Sequence, residues 1–334
     1  MKKKVVIAVS VIAAVAVILG SLLFIVSHAV YHRSVMATLA EMYMVLIDRD
    51  AIYESGNGYE ENLELRSVEN LKPHTPPKGV NPKIPYYDKN EHGMQVFYFN
   101  EDCFTDTILI YVPGGGYMNN PLKYHWQIIE KLSTATDTPV IMPVYLKVPN
   151  YTCEESFDAM IEFYLDVASR KNVKRIIMAG DSSGGGMTLA LAQILRDDYP
   201  EVLQPDDLIL IAPWMDVSME NEEIKKYEPI DPMLDISGAK DIGVRWADSR
   251  GVHDPMVSPI YGTFENLGDI TMFIGTKDML YPDIQKFSDI LTEQNIEHTY
   301  VVKESLNHPY PLFPIPEAKE AQQIMIDVIL NADK

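Results

Sequence analysis

The segment Gly180-Asp181-Ser182-Ser183-Gly184-Gly185-Gly186 constrains the fold of this chain more than any other. It follows a short apolar run, Arg175–Ala179, and opens a stretch rich in Ala and Leu, Gly186–Asp197. A G-x-S-x-G placed between a strand and a helix forms a tight turn. Glycine two residues to either side lets the neighbouring backbone pass, and the serine hydroxyl is lifted above the sheet. The helix start brings backbone N–H donors and a positive dipole end to the same place. Ser182 is therefore the candidate nucleophile. Other glycine motifs fail on spelling. No Lys follows the turn, so it is not a phosphate loop, and no S-x-x-K starts at Ser182. The run Gly114-Gly115-Gly116 has Asn119 where a dinucleotide fingerprint needs its third glycine.

Around this turn, strands and helices alternate. Strands are expected at Met94–Phe99, Thr107–Val112, Val140–Tyr145, Arg175–Ala179, Leu208–Ala212, Ile270–Ile274 and His298–Val302. Helices are expected at Trp126–Leu132, Cys153–Arg170, Gly186–Asp197, Asp283–Gln294 and Pro316–Leu330. Such alternation implies parallel strands joined by crossovers. Strands apolar on both faces, such as Leu208-Ile209-Leu210-Ile211, imply a sheet covered on both sides. The stretch from Met215 to about Asn266 lacks clear strands and reads as an insertion suited to a lid. Residues 54–85 are rich in Gly, Pro, Asn and Glu, and read as a connector with little regular structure.

The first thirty residues are a separate object. Lys2, Lys3 and Lys4 precede an uncharged apolar run, Val5–Val26. At about 1.5 Å per residue it spans roughly 33 Å, enough to cross a bilayer. Positive charge ahead of it favours a single pass with the rest of the chain outside the cytoplasm. Secretion after cleavage near Ser27-His28-Ala29 is the alternative, but the apolar run is longer than the usual signal core. From Ser34 to about Asp48, apolar residues fall at helical spacing, and this amphipathic helix is expected to pack on the main domain, with a membrane-surface role as the alternative. The chain carries 28 basic and 48 acidic residues. Without the three lysines the balance is 25 to 48, a net charge of −23. Attachment would rest on the helix rather than on surface charge, and nucleic acid is not an expected partner. Two cysteines, Cys103 and Cys153, allow at most one bridge and form no metal cluster. No two histidines are spaced for a metal site either.

The second chemical signal is Tyr111-Val112-Pro113-Gly114-Gly115-Gly116-Tyr117 at the end of a strand. Consecutive glycines let backbone N–H groups converge on one spot, where they can stabilise the oxyanion of a tetrahedral intermediate. The N–H of Ser183 would complete that hole. A serine nucleophile also needs a base, and the base an orienting acid. In sheets carrying such a turn the chain order is Ser, acid, His. His308, in the loop after the last strand, is the expected base, because His298 only starts that strand. Asp278 ends the strand Ile270–Ile274 and is the expected acid. Its rival Asp283 reads better as the start of the next helix. His125 is expected to be a packed structural residue. Bracing of the glycine loop is the other role open to it.

With these residues in place, the chain resembles the hormone-sensitive-lipase-like bacterial carboxylesterases of the α/β-hydrolase superfamily. The likeness rests on Gly114–Gly116, Gly180-Asp181-Ser182-Ser183-Gly184-Gly185, Gly275-Thr276-Lys277-Asp278-Met279-Leu280 and His308. It extends to Ala212-Pro213-Trp214-Met215-Asp216, Asp231-Pro232-Met233-Leu234 and Val257-Ser258-Pro259-Ile260-Tyr261-Gly262. It covers about residues 86–330. The resemblance implies a mostly parallel sheet with helices on both faces and residues 86–334 as the catalytic domain; it does not extend to residues 1–30, whose reading as a membrane anchor rests on their lysines and apolar run. A cap would be built from 31–85 and about 215–266. It further implies Ser182, Asp278 and His308 as a catalytic triad, with Gly115, Gly116 and Ser183 as oxyanion donors. Gly114, Asp181 and Gly184 would support that loop. The expected reaction is hydrolysis of small short- to medium-chain carboxylic esters without a cofactor. The alternatives are a lipid-directed lipase or acyltransferase near the membrane, or a catalytically inactive binding homologue. Pro113 departs from the family, which usually has His there. That His orients the loop, and proline could stiffen it instead.

Overall fold

The computed structural model describes residues 2–46, 57–102 and 105–331. Eight strands form one sheet: β1 (Tyr86–Glu91), β2 (Met94–Phe99), β3 (Thr107–Val112), β4 (Val140–Val144), β5 (Arg175–Asp181), β6 (Pro205–Ile211), β7 (Asp269–Gly275) and β8 (His298–Lys303). Their order is β1-β2-β4-β3-β5-β6-β7-β8. β1–β2 and β2–β4 pair antiparallel, and every later pair is parallel. The mostly parallel sheet expected from the alternating pattern is therefore present.

The central strands feed two apolar cores, one on each face. On β5, Ile176 and Met178 join one core, and Ile177 and Ala179 the other. Alternation sends successive side chains to opposite faces, so both faces of the strand must be apolar. Helices cover the sheet: α4 (Lys123–Thr136), α5 (Cys153–Ala168), α6 (Ser183–Asp198), α8 (Tyr281–Glu293) and α9 (Ala318–Leu330). α7 (Ile236–Ala247) lies in the long insertion. Cys153 opens α5 as a buried free thiol, and Cys103 lies outside the described residues.

Two elements correct the sequence reading. The connector 54–85 contains a helix, α3 (Asn57–Glu69). Its surface is polar, and only Tyr59 and Leu63, one turn apart, reach the core. β1 was absent from the expected strands. It is a sheet edge, exposed along nearly its whole length, so it needs no apolar alternation.

At the N-terminus, α1 (Lys2–Ile25) continues through a π-helical turn, Val26–Val30, to α2 (Val35–Leu46). Residues Val9–Val30 form a 22-residue apolar span that is almost wholly uncovered by the protein, Ser27 near its end being buried. By length and composition it could cross a membrane.

Candidate active site

The candidate site lies at the C-terminal ends of the parallel strands, where α/β sheets bind ligands. Ser182 sits between β5 and α6 at φ +53° and ψ −126°, a conformation that side chains rarely adopt. Neighbouring backbone fixes this turn. The Ser182 N–H donates to the Ile211 carbonyl at 2.9 Å, and the Ser182 carbonyl accepts from Trp214 N–H at 2.8 Å. The glycine requirement is steric, as expected. A Cβ on Gly184 would stand 2.1 Å from the Val112 carbonyl oxygen, and one on Gly180 would stand 2.4 Å from that of Gly184.

The glycine loop after β3 borders the same cavity. Gly115 and Gly116 have φ +140° and +61°, and both line the cavity with Ser182 and His308. Ser183 is the first residue of α6, so its N–H has no acceptor within the helix. Its hydroxyl is 3.2 Å from that of Tyr145.

Asp181, buried beneath the turn, ties the two glycine segments together. Its carboxylate accepts from Gly114 N–H at 3.0 Å, Tyr111 Oη at 2.9 Å and His125 Nε2 at 3.2 Å. His125 Nδ1 accepts from Leu122 N–H, which leaves Nε2 to donate to Asp181. Burial alone would raise the Asp181 carboxyl, but His125, Gly114 and Tyr111 together hold it below the usual carboxylate range. His125, on α4, is thus packed, and through Asp181 it is also linked to the Gly114 N–H of the glycine loop.

His308 and Asp278 come together from the loops after β8 and β7. His308 Nδ1 is 2.8 Å from Asp278 Oδ2, while Asp278 Oδ1 accepts from Leu280 N–H at 2.9 Å. Both side chains are buried. Burial pulls the imidazole pKa down. Asp278, Asp231 and Asp181 outweigh it and raise the pKa above 6.5. Asp283 instead lies in the first turn of α8 and accepts from Asn221 at 2.7 Å. His298 bonds Ser288 and the Ile296 carbonyl on the far side of β8.

Asp231 was not picked out as a site residue. It is buried beside Asp278 and accepts N–H bonds from Met233, Leu234 and Met279. Burial, and then the charge of Asp278, push its carboxyl up to about 7. The motif Asp231-Pro232-Met233-Leu234 marked the residue, but its contact with Met279 spans 48 residues of sequence, so the motif gave it no role.

The cavity above these groups has a volume of about 180 Å³. Ala40, Tyr43 and Met44 of α2 wall one side. Leu234, Ala239 and Ile242, from the insertion, wall another. A serine at a strained turn, a buried His–Asp pair and a glycine-lined backbone around one apolar cavity are the parts that acyl transfer requires.

Comparison with known proteins agrees with this architecture. Residues 109–312 match the family model described as alpha/beta hydrolase fold. The chain belongs to that family. It is 26% identical over 219 residues to an esterase of Acinetobacter venetianus, covering 64% of this chain and 71% of that one. It is 22% identical over 219 residues to an acetyl-hydrolase of Streptomyces hygroscopicus, covering 65% and 73%. A Staphylococcus aureus protein of solved structure superposes with a TM-score of 0.80 at 27% identity, over 86% of this chain and 96% of that one. An esterase from the bacterial hormone-sensitive lipase family shares the fold, with a TM-score of 0.74 at 18% identity over 87% and 97%.

Proposed function

We propose that this carboxylic ester hydrolase is a serine carboxylesterase acting on short- to medium-chain esters through an acyl-enzyme. The observation that carries this reading is the buried His308–Asp278 pair, bonded at 2.8 Å, whose imidazole lines the same cavity as Ser182. Ser182 Oγ attacks the ester carbonyl. His308 Nε2 takes the hydroxyl proton and returns it to the departing alcohol. Asp278 holds Nδ1–H and stabilises the imidazolium. Gly115, Gly116 and Ser183 N–H groups receive the oxyanion. Water, activated by the same imidazole, then releases the acid. Gly114, Asp181, Gly184 and His125 keep the loop and the turn in register.

In this reading residues 1–30 are a single-pass anchor with Lys2–Lys4 on the cytoplasmic side, and residues 86–334 are the catalytic unit. Residues 31–85 and about 215–266 form the cap. The test is hydrolysis of p-nitrophenyl esters from acetate to palmitate beside Ser182→Ala. Activity should peak at short or medium chains and vanish in the variant. Turnover by folded Ser182→Ala equal to the parent would defeat the assignment.

A further inference from the structure

α2 has an inverted surface. Its one charged residue, Glu41, points inward and pairs with Arg33 and Lys277. Its outward face carries Met36, Leu39, Met42, Tyr43, Val45 and Leu46, all exposed. A helix packed on a domain in water shows the opposite pattern, with polar residues outside. A contiguous exposed apolar face marks a surface that meets something apolar.

Two observations say what it meets. First, α2 follows the apolar span Val9–Val30 after only four residues, and that junction is fixed to the catalytic loops. Buried Arg33 donates to the Ser305 carbonyl at 2.6 Å, three residues before His308. Lys277, which pairs with Glu41, directly precedes Asp278. Ser34 Oγ is bonded to Glu317 at 2.9 Å. Second, Ala40, Tyr43 and Met44 of the same helix wall the cavity above Ser182. Four non-helical residues at no more than about 3.5 Å each and ten helical ones at about 1.5 Å put the cavity lip at Met44 within roughly 30 Å of the end of the apolar span.

We propose that α2 rests in the bilayer interface and that the cavity draws its ester substrate directly from the membrane. The proposal rests on the anchored esterase reading and names its substrate class: uncharged, membrane-dissolved esters of short or medium acyl chain. The charge around the cavity favours neutral substrates. Among the described residues, the cavity lining includes no lysine or arginine to hold a phosphate, and Asp235 adds negative charge there. The strongly acidic body likewise disfavours anionic lipid. An interfacial apolar helix without a basic face binds by buried area alone.

The test uses the full chain in phosphatidylcholine vesicles. Met42→Trp places an indole on the outer face, and the three native tryptophans are buried. Brominated phosphatidylcholine should quench its emission. Failure to quench overturns the proposal. Leu39→Glu/Met42→Glu, neither residue lining the cavity, is then compared with the parent on soluble p-nitrophenyl acetate and on vesicle-dissolved p-nitrophenyl octanoate. Acetate turnover should stay within twofold while octanoate turnover falls at least tenfold. Equal effects on both esters, whether large or absent, overturn membrane entry. Failure of the esterase reading is separately visible, as acetate hydrolysis by the parent that persists in Ser182→Ala.

Discussion

Replacing Asp278 by Asn changes one atom in a buried contact, and its effect follows from two distances. Asp278 Oδ1 accepts from Leu280 N–H at 2.9 Å, and Oδ2 faces His308 Nδ1 at 2.8 Å. In Asp278→Asn the carbonyl keeps the Leu280 bond, so the amide NH₂ faces Nδ1. Two donors cannot share that contact, and the imidazole must switch tautomer, carrying its proton on Nε2. That nitrogen is the one required to accept the Ser182 proton. Loss of the carboxylate also removes the charge that stabilises the imidazolium. By analogy with the same change in serine proteases, kcat should fall about 10⁴-fold, roughly 5.4 kcal/mol of barrier. KM should change little, because Asp278 sits behind His308 rather than on the cavity wall. The fold should survive. The Leu280 bond remains, and relief of repulsion against Asp231 offsets the lost charged contact. The assay is p-nitrophenyl butyrate hydrolysis at pH 8, with a thermal melt of the same sample. A loss under tenfold in folded protein would refute the pairing of Asp278 with His308.

Three further outcomes follow from the same geometry. His308 is held above its ordinary pKa and must be neutral to act as base. The acid limb of kcat/KM should therefore have its midpoint above pH 6.5, and a midpoint below that value contradicts the arrangement. The sign for stability is opposite: the raised imidazole contributes most below pH 6.5, and that contribution is lost as pH rises through its folded pKa. His125→Ala removes the imidazole that braces Asp181 while leaving the backbone donors; kcat should fall about tenfold, below the 10²–10³ typical of a lost oxyanion donor, with KM unchanged, and an unaltered kcat would deny the bracing role. Gly184→Ala drives a methyl group to 2.1 Å from the Val112 carbonyl and should destabilise the protein by about 3 kcal/mol or more; an unchanged thermal melt would show that the turn can relax.

The sequence made the sheet legible because its strands are buried. Thr107–Val112 matches the observed strand end to end, since both faces must be apolar. β1 escaped for the converse reason: at an exposed edge, Tyr86–Glu91 carries no such constraint. α3 escaped because only Tyr59 and Leu63 anchor it. At the site, Ser182 was marked by local sterics, and Asp278 and His308 by chain order and strand-end position. The support beneath them was hidden. His125 meets Asp181 across 56 residues, and Asp231 meets Met279 across 48, so both contacts exist only once the sheet is assembled. The inward turn of Glu41 on α2 was equally invisible, because helical spacing alone shows an apolar helix and not which face the domain takes.

The central claim is that Ser182 is an activated nucleophile in this cavity. The most direct measurement is the intact mass of the folded full chain after exposure to a fluorophosphonate, with the modified peptide sequenced. A single adduct on Ser182, absent from Ser182→Ala, is the predicted result. No adduct in folded protein, or an adduct on another residue, would contradict it.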